Sequence, residues 1–166
     1  MTLSLVRVDD RLIHGQVIAV WLRALNAEVI VIADDETAND EFLREILELA
    51  APPGVEVEVH SVEDAVQPIS ELSASDIRTI VLMKSPTVAR DLVLRGAPIE
   101  TLNIGGMGAA EGRSTLYKNV SARPEELEAM RYLEQHGTKV EIQIVADDSP
   151  TAFSSVDPGK KAGATP

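Results

Sequence analysis

The chain is predicted to be an α/β protein: a three-layer, open twisted, mostly parallel sheet with helices on both faces. Three observations lead there. β-rich runs alternate with helical stretches along the whole chain, the pattern of βαβ units. Two runs, "VIVIA" (29–33) and "TIVLM" (79–83), are apolar apart from Thr79, as expected of strands buried on both faces. Helix stops and starts separate the two classes, as in "APPG" (51–54) and in "PTVARDLVLRG" (86–96), which begins with Pro and ends with Gly.

In order, "LSLVRV" (3–8) is a first strand. "GQVIAVWLRAL" (15–25) is a helix whose buried stripe is Val17, Val20, Trp21 and Ala24. After the strand 29–33, "NDEFLREILELA" (39–50) is a helix with Phe42, Ile46 and Leu49 along its buried side. "VEVEV" (55–59) alternates strictly and reads as a half-exposed strand. Residues 62–72 form a helix that Pro68 is expected to kink or break. The strand 79–83 and the helix 86–96 follow, then a short strand "TLNI" (101–104). Residues 105–119 read as irregular, with a short strand near Leu116 to Val120. "RPEELEAMRYLEQHG" (123–137) is a helix capped by Gly137, and "KVEIQIV" (139–145) is the last strand. Residues 1–148 are expected to be a single domain and 149–166 a flexible C-terminal tail.

At 166 residues, 45% of them apolar, the chain can bury a core, and with two Phe, two Tyr and one Trp that core is aliphatic. Fifteen basic residues against twenty-seven acidic ones give a net charge of −12. That balance argues against sequence-independent binding to nucleic acid and against docking on anionic lipid by charge alone, and is compatible with a basic protein partner or a local basic pocket. Cysteine is absent, which removes disulfides, thiolate chemistry and cysteine-bound zinc. No apolar run approaches the roughly 20 residues that span a bilayer, and the N-terminus lacks the pattern of a signal peptide. A cytoplasmic protein is expected, without direct membrane insertion.

In parallel sheets the functional crevice lies at the carboxyl ends of the strands. Four loops meet there: Asp9 to His14, Asp34–Asp35, Lys84–Ser85 and Gly105 to Gly108. The first loop carries the chemistry. His14 stands at the start of a helix, where unpaired N–H groups and the helix dipole favour an anion. Arg11 can hold two phosphate oxygens in a fork. An imidazole between those features can attack phosphorus and carry a phosphoryl group. Asp10 is placed either to orient the ring of His14 or to anchor Arg11. The plainer reading makes His14 loop filler or a helix cap and Asp10 an ordinary N-cap.

"RVDDRLIHGQV" closely resembles the signature of the enzyme IIB component of the mannose/fructose/sorbose family of the bacterial sugar phosphotransferase system. The likeness extends through "VIVIADDETANDEFLREILELAAPPGVEVEV", "LNIGGM" and "EGRSTLYKNVSARPEELEAMRYLEQHGTKVEIQIV", over roughly residues 3 to 146. The resemblance implies that His14 accepts a phosphoryl group on Nδ1 from phosphorylated IIA and passes it to a sugar crossing through the membrane components IIC and IID. Arg11 matches the arginine that stabilises the transferring group, and Asp10 a neighbouring acid of the motif. It also implies six parallel strands and one antiparallel strand. No cofactor and no metal are expected, because Arg11 and helix N–H groups can take the charge of the phosphoryl oxygens.

Other signals are weaker. "GGMG" (105–108) can be read as an anion-cradling Gly loop, but it lacks a dinucleotide fingerprint and no GK[ST] follows, which favours a plain turn; many family members carry a different residue, often His, where Gly108 stands. The acid pairs Asp34–Asp35 and Asp147–Asp148 read as caps or turns, and His60 and His136 receive no catalytic role. Two other functions compete with the carrier. A histidine phosphatase expects Arg immediately before its first histidine, where Ile13 stands, and a second catalytic histidine. A non-catalytic relative binding a sugar or regulator through the same crevice would have no need of both His14 and Arg11.

Overall fold

The computed structural model describes residues 3–15 and 17–159, the side chain of Ile18 excepted. Seven strands form one sheet in the order β3-β2-β4-β1-β5-β8-β9. They are β1 (Leu5–Asp9), β2 (Val29–Ala33), β3 (Glu56–His60), β4 (Thr79–Met83), β5 (Thr101–Gly106), β8 (Lys139–Ile142) and β9 (Thr151–Ala152). The first six run parallel and β9 pairs antiparallel with β8. β6 (Ser114–Tyr117) and β7 (Val120–Ala122) form a separate hairpin.

Strand alternation divides the core into two layers. Val29, Val31, Ala33, Val81 and Met83 face one side with α4 (Val62–Ser73), α5 (Pro86–Leu94) and α6 (Pro124–Gln135). Ile30, Ile32, Ile80 and Leu82 face the other with Trp21, Leu22 and Leu47. That second side carries α1 (Leu22–Leu25), entered through a π-helical turn at Val17–Trp21, and α3 (Glu41–Leu49), which follows the short α2 (Asp35–Ala38). The chain therefore leaves β1 toward one face, while it leaves β4 and β5, the two neighbours of β1, toward the opposite face. Loops that part in this way open a crevice over the end of β1.

Several elements depart from expectation for identifiable reasons. The π turn spaces side chains one residue wider than an α-helix, so Val17, Trp21 and Leu22 are buried while Val20 and Ala24 are exposed. Phe42, Ile46 and Leu49, expected on the buried side of α3, are exposed. The helix is seated instead on its other apolar side, through Leu47. Pro68 does not break α4, which continues to Ser73. Residues 105–119, read as irregular, contain the end of β5 and all of β6, and the hairpin turns at Lys118 with φ 50°. β8 ends at Ile142, short of Val145.

The C-terminal segment also differs. Residues 149–159 were expected to belong to a flexible tail, yet Thr151–Ala152 extend the sheet. Phe153 is fully buried in the core, and Asp157 holds Arg131 of α6 with oxygen–nitrogen distances of 2.6–3.1 Å. A fully buried aromatic ring fixes such a segment without strong local propensity. Residues 160–166 lie outside the described residues.

Candidate functional site

The crevice is organised around Asp9, the last residue of β1 and fully buried. Along β1, Val6 and Val8 face the α4–α6 layer, so Arg7 and Asp9 face the α1 layer by alternation. Arg7 is only 2% exposed. Its Nη1 donates to Asn103 Oδ1 (2.5 Å) and to the Gln143 carbonyl (2.7 Å), and its Nη2 to the Ile144 carbonyl (2.8 Å). The guanidinium lies 5.0 Å from the Trp21 ring centroid, a cation–π distance. Its Nε has no hydrogen bond but lies 3.7 Å from Asp9 Oδ2. Burial lowers the Arg7 pKa to about 10, against the attraction of Asp9, and the side chain stays charged at neutral pH.

The glycine pair at the end of β5 makes room for these two charges. A Cβ on Gly105 would sit 1.8 Å from Arg7 Cζ, and one on Gly106 would sit 2.5 Å from Asp9 Oδ1. Both are far inside van der Waals contact, so the side chains of Arg7 and Asp9 occupy the space that any larger residue would need.

Beyond Asp9 the loop turns sharply. Leu12 N–H donates to the Asp9 carbonyl at 2.9 Å, and Leu12 adopts φ 57°. A bulky residue in this left-handed region is strained. It is held there by burial of Leu12 and Ile13 in the second core layer. The reversal returns His14 over the strand end, where Nε2–H donates to Asp9 Oδ2 at 2.8 Å. Asp9 Oδ1 accepts from Arg11 N (3.1 Å) and Nε (3.3 Å). The Arg11 side chain is 59% exposed, and its terminal nitrogens make no hydrogen bond among the described residues. The Nδ1 atom of His14 is likewise unbonded there.

Asp9 thus contacts both His14 and Arg11, the two partners between which the sequence left Asp10 undecided. Asp10 Oδ2 turns the other way and accepts from Gly108 N (3.0 Å) and Arg113 Nη1 (3.2 Å). Arg113, nearly buried, also donates to the Gly108 carbonyl (3.0 Å) and lies fork to fork on Glu126 at 3.0 and 3.2 Å. Glu126 further accepts from Ser85 Oγ (2.8 Å) and Arg123 N (3.0 Å). Burial works against both charges, but their mutual pairing outweighs it: the Arg113 pKa is raised and the Glu126 pKa is lowered. This network ties the loops after β1, β4 and β5 to the first turn of α6.

The remaining sequence candidates have structural partners. Lys84 bridges Asp34 (3.2 Å) and Glu36 (3.3 Å). Asp34 caps α2 at Thr37 N, and Asp35 accepts from Val62 N at the start of α4. Gly108 is held by Asp10 at its N–H and by Arg113 at its carbonyl. His60 bonds Glu58 at 2.9 Å, and His136 stacks on Tyr132. Among the described residues no group of three or more His, Asp or Glu is arranged to hold a metal ion. No helix there is long and apolar enough to cross a membrane. Sequence reasoning missed Arg7, Arg113 and Glu126, and gave Asp9 no role. The available signal was the pairing of two charges at alternate positions of one strand with a Gly-Gly pair elsewhere.

The arrangement offers a ring nitrogen with a free lone pair, a guanidinium with free donors beside it, and a buried carboxylate behind both. That combination can receive a phosphoryl group on nitrogen and neutralise its oxygens. Comparison with known proteins points the same way. Residues 3–163 match the family described as the PTS system sorbose subfamily IIB component. The chain is 42% identical over 148 residues to the sorbose-specific EIIB component of Klebsiella pneumoniae, covering 89% of this chain and 90% of that protein. It is 33% identical over 148 residues to the mannose-specific EIIAB component of Escherichia coli K12, covering 89% of this chain and 46% of that longer protein. The crystal structure of the IIBSor domain of the Klebsiella pneumoniae sorbose permease superposes with a TM-score of 0.86 over 99% of each chain, at 38% identity.

Proposed function

Because the chain belongs to the sorbose subfamily of phosphotransferase-system IIB components, phosphocarriers that work through a phosphohistidine with IIA and IIC/IID as partners, we propose that His14 is its phosphorylated residue. We further propose that Arg11 stabilises the transferring group and that Asp9 holds and polarises the ring. The observation that carries this reading is the Asp9–His14 hydrogen bond at Nε2 (2.8 Å), which leaves Nδ1 as the nucleophile.

In the first step the Nδ1 lone pair attacks phosphorus of the phosphohistidine on IIA. The new P–N bond forms as the donor's P–N bond breaks, and the donor imidazole leaves neutral. Positive charge spreads over the His14 ring, and Asp9 stabilises it through the Nε2–H bond. The phosphoryl oxygens take the free donors of Arg11. In the second step a sugar hydroxyl attacks phosphorus, the bond to Nδ1 breaks, the hydroxyl proton leaves to water, and the ring returns to its neutral Nε2–H form. A shallow site suits both steps, since two partners reach it in turn.

On this reading the carrier works in the cytoplasm between phosphorylated IIA and IIC/IID. Sorbose is the first sugar to test, on the strength of the sorbose-specific relative. Asp10 acts at a distance, by holding the Gly108 loop and Arg113. The test is labelling with phosphorylated IIA followed by tandem mass spectrometry. Acid-labile, base-stable phosphate is expected on His14 and lost in His14→Ala. Equal labelling of that variant would overturn the assignment.

A further inference from the structure

The side of α3 turned away from the core carries Phe42, Ile46 and Leu49, which are 70%, 46% and 84% exposed. Their spacing of four and three residues aligns them in one stripe along the helix. Glu41, Glu45 and Glu48, each one residue before a member of the stripe, are exposed along it. A continuous apolar stripe left in water marks an interaction surface more often than chance. The stripe also begins at the functional end of the sheet. Asp34, directly after β2, caps α2, and Lys84 from the loop after β4 clamps Asp34 and Glu36. From there α3 descends the flank on the same face as α1, the helix that the His14 loop enters.

Resting on the carrier reading above, we infer that this acid-edged face of α3 docks the protein onto the cytoplasmic loops of its membrane components, IIC/IID. Charge selects the occupant. The cytoplasmic loops of membrane proteins carry an excess of Lys and Arg, complementary to the glutamates beside the stripe and to a net charge of −12. A second copy would set glutamate against glutamate, and the anionic lipid surface would repel the same face. α3 packs on the edge strand β3, with β2 and β4 between it and β1, so a carrier docked through the stripe keeps its phosphoryl group open to the sugar.

The test uses the full-length protein, phosphorylated IIA, and inverted membrane vesicles with and without IIC/IID. The double variant Phe42→Ser/Leu49→Ser changes only exposed side chains. Its His14 labelling by IIA is expected to match the wild type. The carrier concentration giving half-maximal sugar phosphorylation is expected to rise tenfold or more, with the rate at saturation kept. Wild type should co-sediment only with vesicles holding IIC/IID, and less so as salt rises. Glu41→Gln/Glu45→Gln/Glu48→Gln should weaken that binding and flatten its salt dependence. The inference fails if half-saturation is unchanged, or if the double variant loses labelling by IIA, which would make this the IIA face. It fails equally if wild type binds plain vesicles, or if it self-associates and the variant does not. Wild type that is never labelled on His14 but still co-sediments with IIC/IID would sink the carrier reading and leave the docking face standing.

Discussion

Asp9→Asn is the most informative single change, because the substituted amide keeps the shape and removes one charge. In the native site that charge is fully buried, 3.7 Å from Arg7 Nε, and bonded to His14 and Arg11. Breaking a buried ion pair from one side costs about 3–5 kcal/mol. Arg7 retains three bonds to neutral oxygens, and its separation from Asp9 is long. The lower end applies, about 3 kcal/mol. Urea denaturation should read this as a shifted midpoint with an unchanged slope. Transfer suffers separately. A hydrogen bond to a charged group contributes about 1.5–3 kcal/mol, so losing the Asp9–His14 bond should slow labelling by phosphorylated IIA roughly 10- to 100-fold. Rapid-quench labelling under conditions where the variant is fully folded measures that alone. Asp10→Asn is the control: its bonds reach Gly108 and Arg113 at the partly exposed rim, and it should cost about 1 kcal/mol of stability with a far smaller effect on rate. If Asp10→Asn slows labelling more than Asp9→Asn does, the assignment of ring support to Asp9 is wrong.

Further outcomes are expected at Gly105, Gly108, Phe153 and Glu126. Gly105→Ala should destabilise by about 3 kcal/mol or more, since its Cβ would displace the Arg7 guanidinium from a fully packed site. Gly108→Ala, whose nearest contact would be 3.8 Å away, should stay within about 0.5 kcal/mol of wild type by thermal denaturation. Phe153→Ala should cost about 3–5 kcal/mol, as a fully buried ring, and a chain ending at residue 148 should melt lower still; a truncated chain as stable as the whole would show the C-terminal segment to be dispensable. Glu126 predicts a pH dependence. Its folded-state pKa is lowered below the ordinary 4.5, so the unfolded chain takes up its proton first as the pH falls. The stability it supplies is complete above about 4.5 and is lost as pH falls through the lower folded value. The gap in unfolding free energy between wild type and Glu126→Gln should therefore narrow on acidification through that window.

The strands were legible where one rule governs them. "VIVIA" and "TIVLM" are buried on both faces, and their boundaries match β2 and β4 residue for residue. Helix termini marked by Pro and Gly were legible for the same local reason, as at Pro86 and at Gly137 with its φ of 90°. What escaped depends on distant partners. The apolar stripe of α3 has helical periodicity, but periodicity fixes only that residues share a face, not which face meets the sheet. Leu47 settles that through contacts with the second core layer. The C-terminal segment is rich in Ser, Pro and Gly and resembles a tail by composition, yet one phenylalanine finds a pocket that other elements build.

The site repeats this division. His14 and Arg11 were legible because loop position, helix start and residue chemistry coincide within a few residues. The choice between Asp9 and Asp10 was not, although the two are adjacent. Alternating charge in "VRVD" ordinarily indicates a strand with one wet face. Here β1 lies in the middle of the sheet with both faces covered, a property of strand order that no local window contains. Two charges on a covered face must neutralise each other or find fixed partners. Arg7 does so with Asn103, two carbonyls and Asp9. Asp9 in turn directs its lone pairs at donors above it, the Arg11 N–H groups and the His14 ring. Asp10, one residue later and out of phase, points to the hairpin side and meets Arg113. The pleat of a central strand therefore decides which acid stands behind the imidazole.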